Sequence, residues 1–103
     1  MANARTVMAE AKAAAIRHAL TLIDLHAQYR RHDIEDGLIT PRYAAVMVIK
    51  HAQGMGELLC EQFGPKAAAS IWKAQEAIVR ELDPVYQTNR TRREAARPLD
   101  FAA

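Results

Sequence analysis

The residues able to do chemistry are few and far apart in this chain. The histidines are His18, His26, His32 and His51. None lies three or four residues from another, the spacing that puts two ligands on one face of a helix, and no HExxH motif is present. A zinc or iron site would require the fold to gather distant ligands. Surface or half-buried histidines are the plainer reading, and neither metal nor other cofactor is expected. Cys60 is the only cysteine. A nucleophilic thiol needs a neighbouring base or a helix N-terminus to lower its pKa. Cys60 instead falls on an apolar helical stripe near a helix C-terminus, so it reads as a buried, inert thiol. A carboxylate–histidine active site would need Asp24, Asp33, Glu35 and the histidines to converge. Nothing in their spacing suggests this, and a non-enzymatic protein is expected.

Two further motifs weaken when their register is checked. Asp36-Gly37-Leu38-Ile39 suggests half of a calcium-binding loop, but that register puts His32, Ile34 and Tyr43 where oxygen ligands are required. It reads as an acidic linker. Asn89-Arg90-Thr91 matches a glycosylation triplet, which carries no weight without a secretory signal. The one basic cluster is Arg90, Arg92, Arg93 and Arg97, partly offset by Glu94. It could grip phosphates, although a solvated helix end is the simpler account. A helix-turn-helix is unpersuasive, because its reading helix would offer only Lys66, Lys73 and Arg80 as cations. A small nucleic-acid-associated protein using Arg90, Arg92 and Arg93 therefore stands as the alternative function.

The bulk properties point the same way. The chain has 103 residues, 14 basic and 12 acidic, for a net charge of +2. That is one domain with too balanced a charge to demand nucleic acid or an anionic membrane. Half the residues are hydrophobic but only 6% are aromatic. Much of the apolar content is alanine, which buries little area per residue. The core should be thin, and association is one way to enlarge it. A single cysteine suits a reducing cytoplasm. No signal-peptide pattern and no run of about 20 apolar residues is seen, so a cytoplasmic protein is expected.

The elements that must position these residues are helices. Residues 4–32 lack Gly and Pro and are rich in alanine, which predicts one long helix capped by Asn3 or Thr6. Its expected seam is Ala9, Ala13, Ile16, Leu20, Ile23 and Ala27, with Ala15, Ala19, Leu22, His26 and Tyr29 beside it. At 1.5 Å per residue it reaches roughly 43 Å, longer than the ~34 Å diameter of a compact domain this size. Its ends should fray or pack on another subunit. Gly37 marks a turn or C-cap. Thr40-Pro41 opens a second helix running to Phe63. Gly54 and Gly56 inside it each cost about 1 kcal/mol against alanine, and a close helix–helix approach at Ala52 and Gly56 would explain that. Gly64-Pro65 breaks the chain before a third helix, Lys66 to Leu82, in which Glu76 and Arg80 can pair. Asp83-Pro84 opens a short fourth helix to about Ala96. The expected fold is all-α, a small bundle of about four helices, assembled as a homodimer.

The second helix begins with an unbroken apolar run, Tyr43-Ala44-Ala45-Val46-Met47-Val48-Ile49. Successive residues turn about 100°, so such a run leaves no polar side over its first turns. The bundle can take Val48, Ala52, Met55 and Leu59. Tyr43, Val46, Met47 and Leu58 are then left over, to be buried in a tight bundle or dimer or offered to a different protein. They are the candidate interface residues, with Arg90, Arg92 and Arg93 as secondary electrostatic contacts. The long first helix, the stretch TPRYAAVMVIKHAQGMGELL and the Trp-bearing third helix together resemble the bacterial antiactivators of quorum sensing. That resemblance implies a homodimer that covers the dimer interface of a LuxR-type transcription factor and so keeps it off DNA.

Overall fold

The computed structural model describes residues 3–85. Among them the fold is all-α: α1 spans Ala4–Glu35, α2 Pro41–Phe63 and α3 Ala69–Leu82, with a 3-10 turn at Pro65–Ala68. Three α-helices are thus found where four are expected. Pro84 and Val85 are helical, and the remainder of the expected fourth helix, with Arg90, Arg92 and Arg93, lies outside the described residues.

The helix ends follow local chemistry. Asn3, not Thr6, caps α1: its Oδ1 accepts from the Thr6 backbone N–H at 2.9 Å. That satisfies one of the donors a helix start leaves orphaned. α1 continues three residues past the expected His32. It ends where Gly37 takes φ +73°, the left-handed region that disfavours a Cβ. Gly37 N–H donates to the Ile34 carbonyl and Leu38 N–H to that of Asp33, the paired bonds of a Schellman ending. The acidic segment is therefore a helix terminus with its hydrogen bonds internally satisfied. Thr40 caps α2 through Oγ1 and the Tyr43 N–H at 3.1 Å, with Pro41 in the first turn. The third helix begins later than expected, because Pro65 starts a tighter 3-10 turn before α3 proper.

α1 and α2 run antiparallel through the short 36–40 connection, and α3 packs against both. At one end of the molecule Ile23, Ala52, Leu59 and Ile71 form a buried cluster. At the other, Ala44, Ala45, Val48, Val79 and Leu82 form a second, and Ile78 packs against both. Buried alanines on α1, on α2 and in the 3-10 turn let the backbones approach closely, at the cost of little apolar area per residue. Gly56 is buried beneath the indole of Trp72. At Gly56 the close neighbour is thus a side chain of α3, and Ala52, where a close approach is also expected, is fully buried. Nothing lies near Gly54, by contrast.

The N-terminal turns of α1 stand outside the bundle. Residues 4–11 are exposed, including Val7 and Met8, and so are Ala13 and Ala14. Ala9 and Ala13 therefore do not belong to the seam, which begins at Ala15 and Ile16. The reason is length. α1 extends about 48 Å and α2 only about 34 Å, so α2 runs out near Phe63 while α1 continues.

Candidate protein-binding face

Residues Tyr43, Met47, His51, Gly54 and Leu58 recur along α2 at intervals of three and four. That spacing places them on one side of the helix. The residues α2 buries in the bundle, Ala44, Ala45, Val48, Ala52, Gly56 and Leu59, lie on a neighbouring side of the helix, and Met47 and His51 stand at the edge between the two sides, against α1. On α1, Leu22, Leu25, His26 and Tyr29 form the matching side. The α1 surface toward α3 is a different one, where Leu20, Ile23 and Asp24 stand beside Ala74, Ala77 and Ile78. The two stripes join into one open apolar face on the side of the α1/α2 pair away from α3.

The join is made by polar groups. The imidazoles of His26 and His51 stack with centroids 4.5 Å apart and planes 9° from parallel. One turn along α1, Arg30 Nη1 donates to Met47 Sδ at 3.3 Å and Arg30 Nη2 pairs with Asp33 at 3.1 Å. His26 Nε2, His51 Nε2 and Arg30 Nε are all buried without a hydrogen-bond partner. Beside the stacked rings, Leu22, Leu25 and Tyr29 wall a depression of about 190 Å³. That is below the few hundred Å³ typical of small-molecule sites and suits a single inserted side chain.

Burial holds the pKa of His26 below its ordinary value. The neighbouring His51 and Arg30 push it further down, and a backbone hydrogen bond with Met47 works against them. The unfolded chain, with His26 near its ordinary value of about 6.5, therefore binds a proton more readily than the folded chain. Stability from this site is intact above about pH 6.5 and is lost as pH falls below it. Thermal melts at pH 7.5 and 5.5 should show lower stability in acid, and His26→Gln should reduce the difference.

Two of the candidate interface residues are conspicuously open: Tyr43 is 55% and Leu58 59% exposed. Met47 is half-buried, on the same stripe, and held by Arg30. Val46 is half-buried but lies about 100° round the helix from Met47, so the fold does not bring it to this face. Tyr29, expected on the buried side of α1, is 57% exposed because α2 contacts α1 along Ala19, Ile23 and His26 instead. Leu25 and the His26–His51 stack were not anticipated. The two histidines are 25 residues apart in sequence, yet roughly symmetric about Leu38, so folding an antiparallel pair about Gly37 would have brought them opposite one another.

The remaining chemistry stays dispersed. His18 and His32 are exposed, and His32 faces Glu35 at 3.7 Å. Among the described residues no group of three or more His, Cys, Asp or Glu is gathered as a metal ion would need. Cys60, expected to be buried, is only half-buried, and its thiol donates to the Pro65 carbonyl at 3.5 Å near the end of α2. Arg31 and Glu81 pair at 2.7 Å between α1 and α3, largely in solvent, where such pairs contribute at most about 1 kcal/mol. Glu76 and Arg80 form the expected exposed pair at 3.3 Å. No described helix is long and apolar enough to cross a membrane. Comparison of the chain with protein-family models, curated proteins and solved structures returns no match.

Proposed function

We propose that this chain is a non-enzymatic regulatory protein that binds another protein through the open α1/α2 face. The observation that carries the proposal is the continuity of Leu22, Leu25, Tyr29, Tyr43, Met47 and Leu58 on one side of the molecule, away from its own core. Contiguous apolar surface of this kind is costly in water and marks interaction sites. Tyr and Met are residue types enriched in interface cores, and a helix pair with a shallow seam suits a partner helix.

The mechanism is steric. A partner whose apolar surface is covered here cannot use that surface for its usual companion. In its most specific form the partner is a LuxR-type quorum-sensing transcription factor in the cytoplasm, held from dimerising and hence from DNA. The exposed Val7 and Met8 on the projecting turns of α1 would serve a homodimer while leaving the α1/α2 face free.

Leu58→Asp tests this. The side chain is exposed, so the fold should survive within about 0.5 kcal/mol, whereas a charge buried at the interface should weaken binding at least tenfold. The variant and the wild type are used as bait in extracts of the native host, with and without nuclease. A near-stoichiometric partner that resists nuclease and is lost with Leu58→Asp supports the proposal. Recovery that disappears with nuclease moves the function to Arg90, Arg92 and Arg93.

A further inference from the structure

The projecting half of α1 carries an open side of its own. Val7, Ala11, Ala14 and His18 recur at intervals of four and three, which places them on one side of the helix. All four are exposed. Ile23 and Ala27, which α1 buries in the bundle, lie on the opposite side. Val7 and its neighbour Met8 are 52% and 54% exposed. A helix of about a dozen residues is marginal in water without packing, and residues 4–14 have no packing from α2 or α3 to support them.

The charges beside this stripe select what covers it. Glu10 and Arg17 stand two helical turns apart on the same flank. About 10 Å of helix rise separates them, too far for them to pair with each other. Both are exposed, and neither forms an ion pair among the described residues. A second copy laid parallel would set Glu10 against Glu10 and Arg17 against Arg17. A copy laid antiparallel, about a two-fold axis between Ala11 and Ala14, sets Glu10 against Arg17 of the second copy. The two-fold repeats that pair, since such an interface is isologous. In the same register Ala11 meets Ala14 and Val7 meets His18, so small residues lie at the axis and larger ones at the ends. Sliding the copies until His18 lies on the axis would instead bring the two Arg17 side chains together.

We propose that the occupant is a second copy of this chain, paired antiparallel along residues 4–21 of α1 with Glu10 and Arg17 in two reciprocal ion pairs. This rests on the reading that Val7 and Met8 serve a homodimer, and adds its direction, register and charge pairs. Each bundle begins at Ala15 and Ile16, past the axis, so the two bundles lie at opposite ends of the pair. The α1/α2 faces, from Leu22 onward, stay uncovered. An anionic membrane fits less well, because Glu10 borders the stripe while Arg5 and Lys12 are turned away from it. The contact is about 27 Å long and one helix wide, at the small end of interface sizes, so the dimer dissociates on dilution.

The test is a charge exchange on the full chain at low salt, where exposed pairs are least screened. Light scattering and sedimentation equilibrium follow the wild type, Glu10→Arg, Arg17→Glu, the double variant and an equimolar mixture of the two single variants. All four positions changed or contacted are exposed, so helical circular dichroism stays the same throughout. The wild type is expected to pass from monomer to dimer between about 1 and about 200 µM. Each single reversal turns two attractions into two repulsions and weakens the dimer about tenfold. The double variant and the mixture both recover to within about threefold of the wild type. Val7→Asp abolishes the dimer, and Leu58→Asp leaves it unchanged. A dimer indifferent to the single reversals, or one that the double variant fails to restore, overturns the inference and leaves the homodimer reading standing. A chain that is monomeric throughout overturns both, whatever else covers the stripe. A dimer that Leu58→Asp dissociates puts the second copy on the α1/α2 face and overturns the inference as well.

Discussion

Truncating Ile71 to alanine should lower the unfolding free energy by about 2–5 kcal/mol. Ile71 is fully buried and lies in the cluster with Ile23, Ala52 and Leu59, where all three helices meet. Its cluster combines alanines, which cannot fill the vacated space, with longer side chains such as Leu59 and Met55, whose movement sets where in that range the cost falls. Domains of this size are commonly stable by only 5–15 kcal/mol, so the loss is a large share of the total. Urea unfolding followed by helical circular dichroism measures it. A loss under about 1 kcal/mol would mean that α3 is not docked as described.

The second large effect is at Gly56. A Cβ built there lies 2.7 Å from Trp72 Cζ2 and closer still to Cη2. Gly56→Leu must expel the indole or separate α2 from α3, and overpacking of this kind costs about 1–3 kcal/mol. Trp72 is the only tryptophan, so a red shift of its fluorescence reports the expulsion directly. Gly54→Ala supplies the opposite sign two residues away. Nothing lies within 4 Å of its Cβ position, and the change should stabilise the helix by up to about 1 kcal/mol. If both substitutions behave alike, the Trp72–Gly56 contact is not what tolerates glycine in α2.

The contrast between these two glycines shows what can be read from sequence here. Thr40-Pro41, Asn3 and Gly37 act through hydrogen bonds and φ preferences within a few residues, and each marks a helix end in the fold. The spacing from Ala52 already favours Gly56 over Gly54 as the place of a close approach, but only packing says that the neighbour is the Trp72 indole. The extent of α1 is legible, but its expected seam fails at its first two positions. Ala9 and Ala13 continue the pattern of Ile16 and Leu20, yet α2 ends before reaching them. Of the interface candidates, Tyr43, Met47 and Leu58 come to one face because helical spacing is local information. Val46 shares the apolar run with them but sits about 100° from Met47, off the stripe. The His26–His51 stack and the Arg31–Glu81 pair depend on which helices become neighbours and in what register, and nothing within a few residues of them encodes it.

The central question is whether the α1/α2 face touches another protein in the cell. The direct measurement is site-specific photo-crosslinking in the native host, with a photoreactive phenylalanine analogue placed in turn at Tyr43, at Leu58 and, as a control on exposed α3 surface, at Lys73. The account predicts one discrete adduct with a different protein from positions 43 and 58 and none from position 73. Adducts only between copies of this chain, or the same adducts from all three positions, would contradict it.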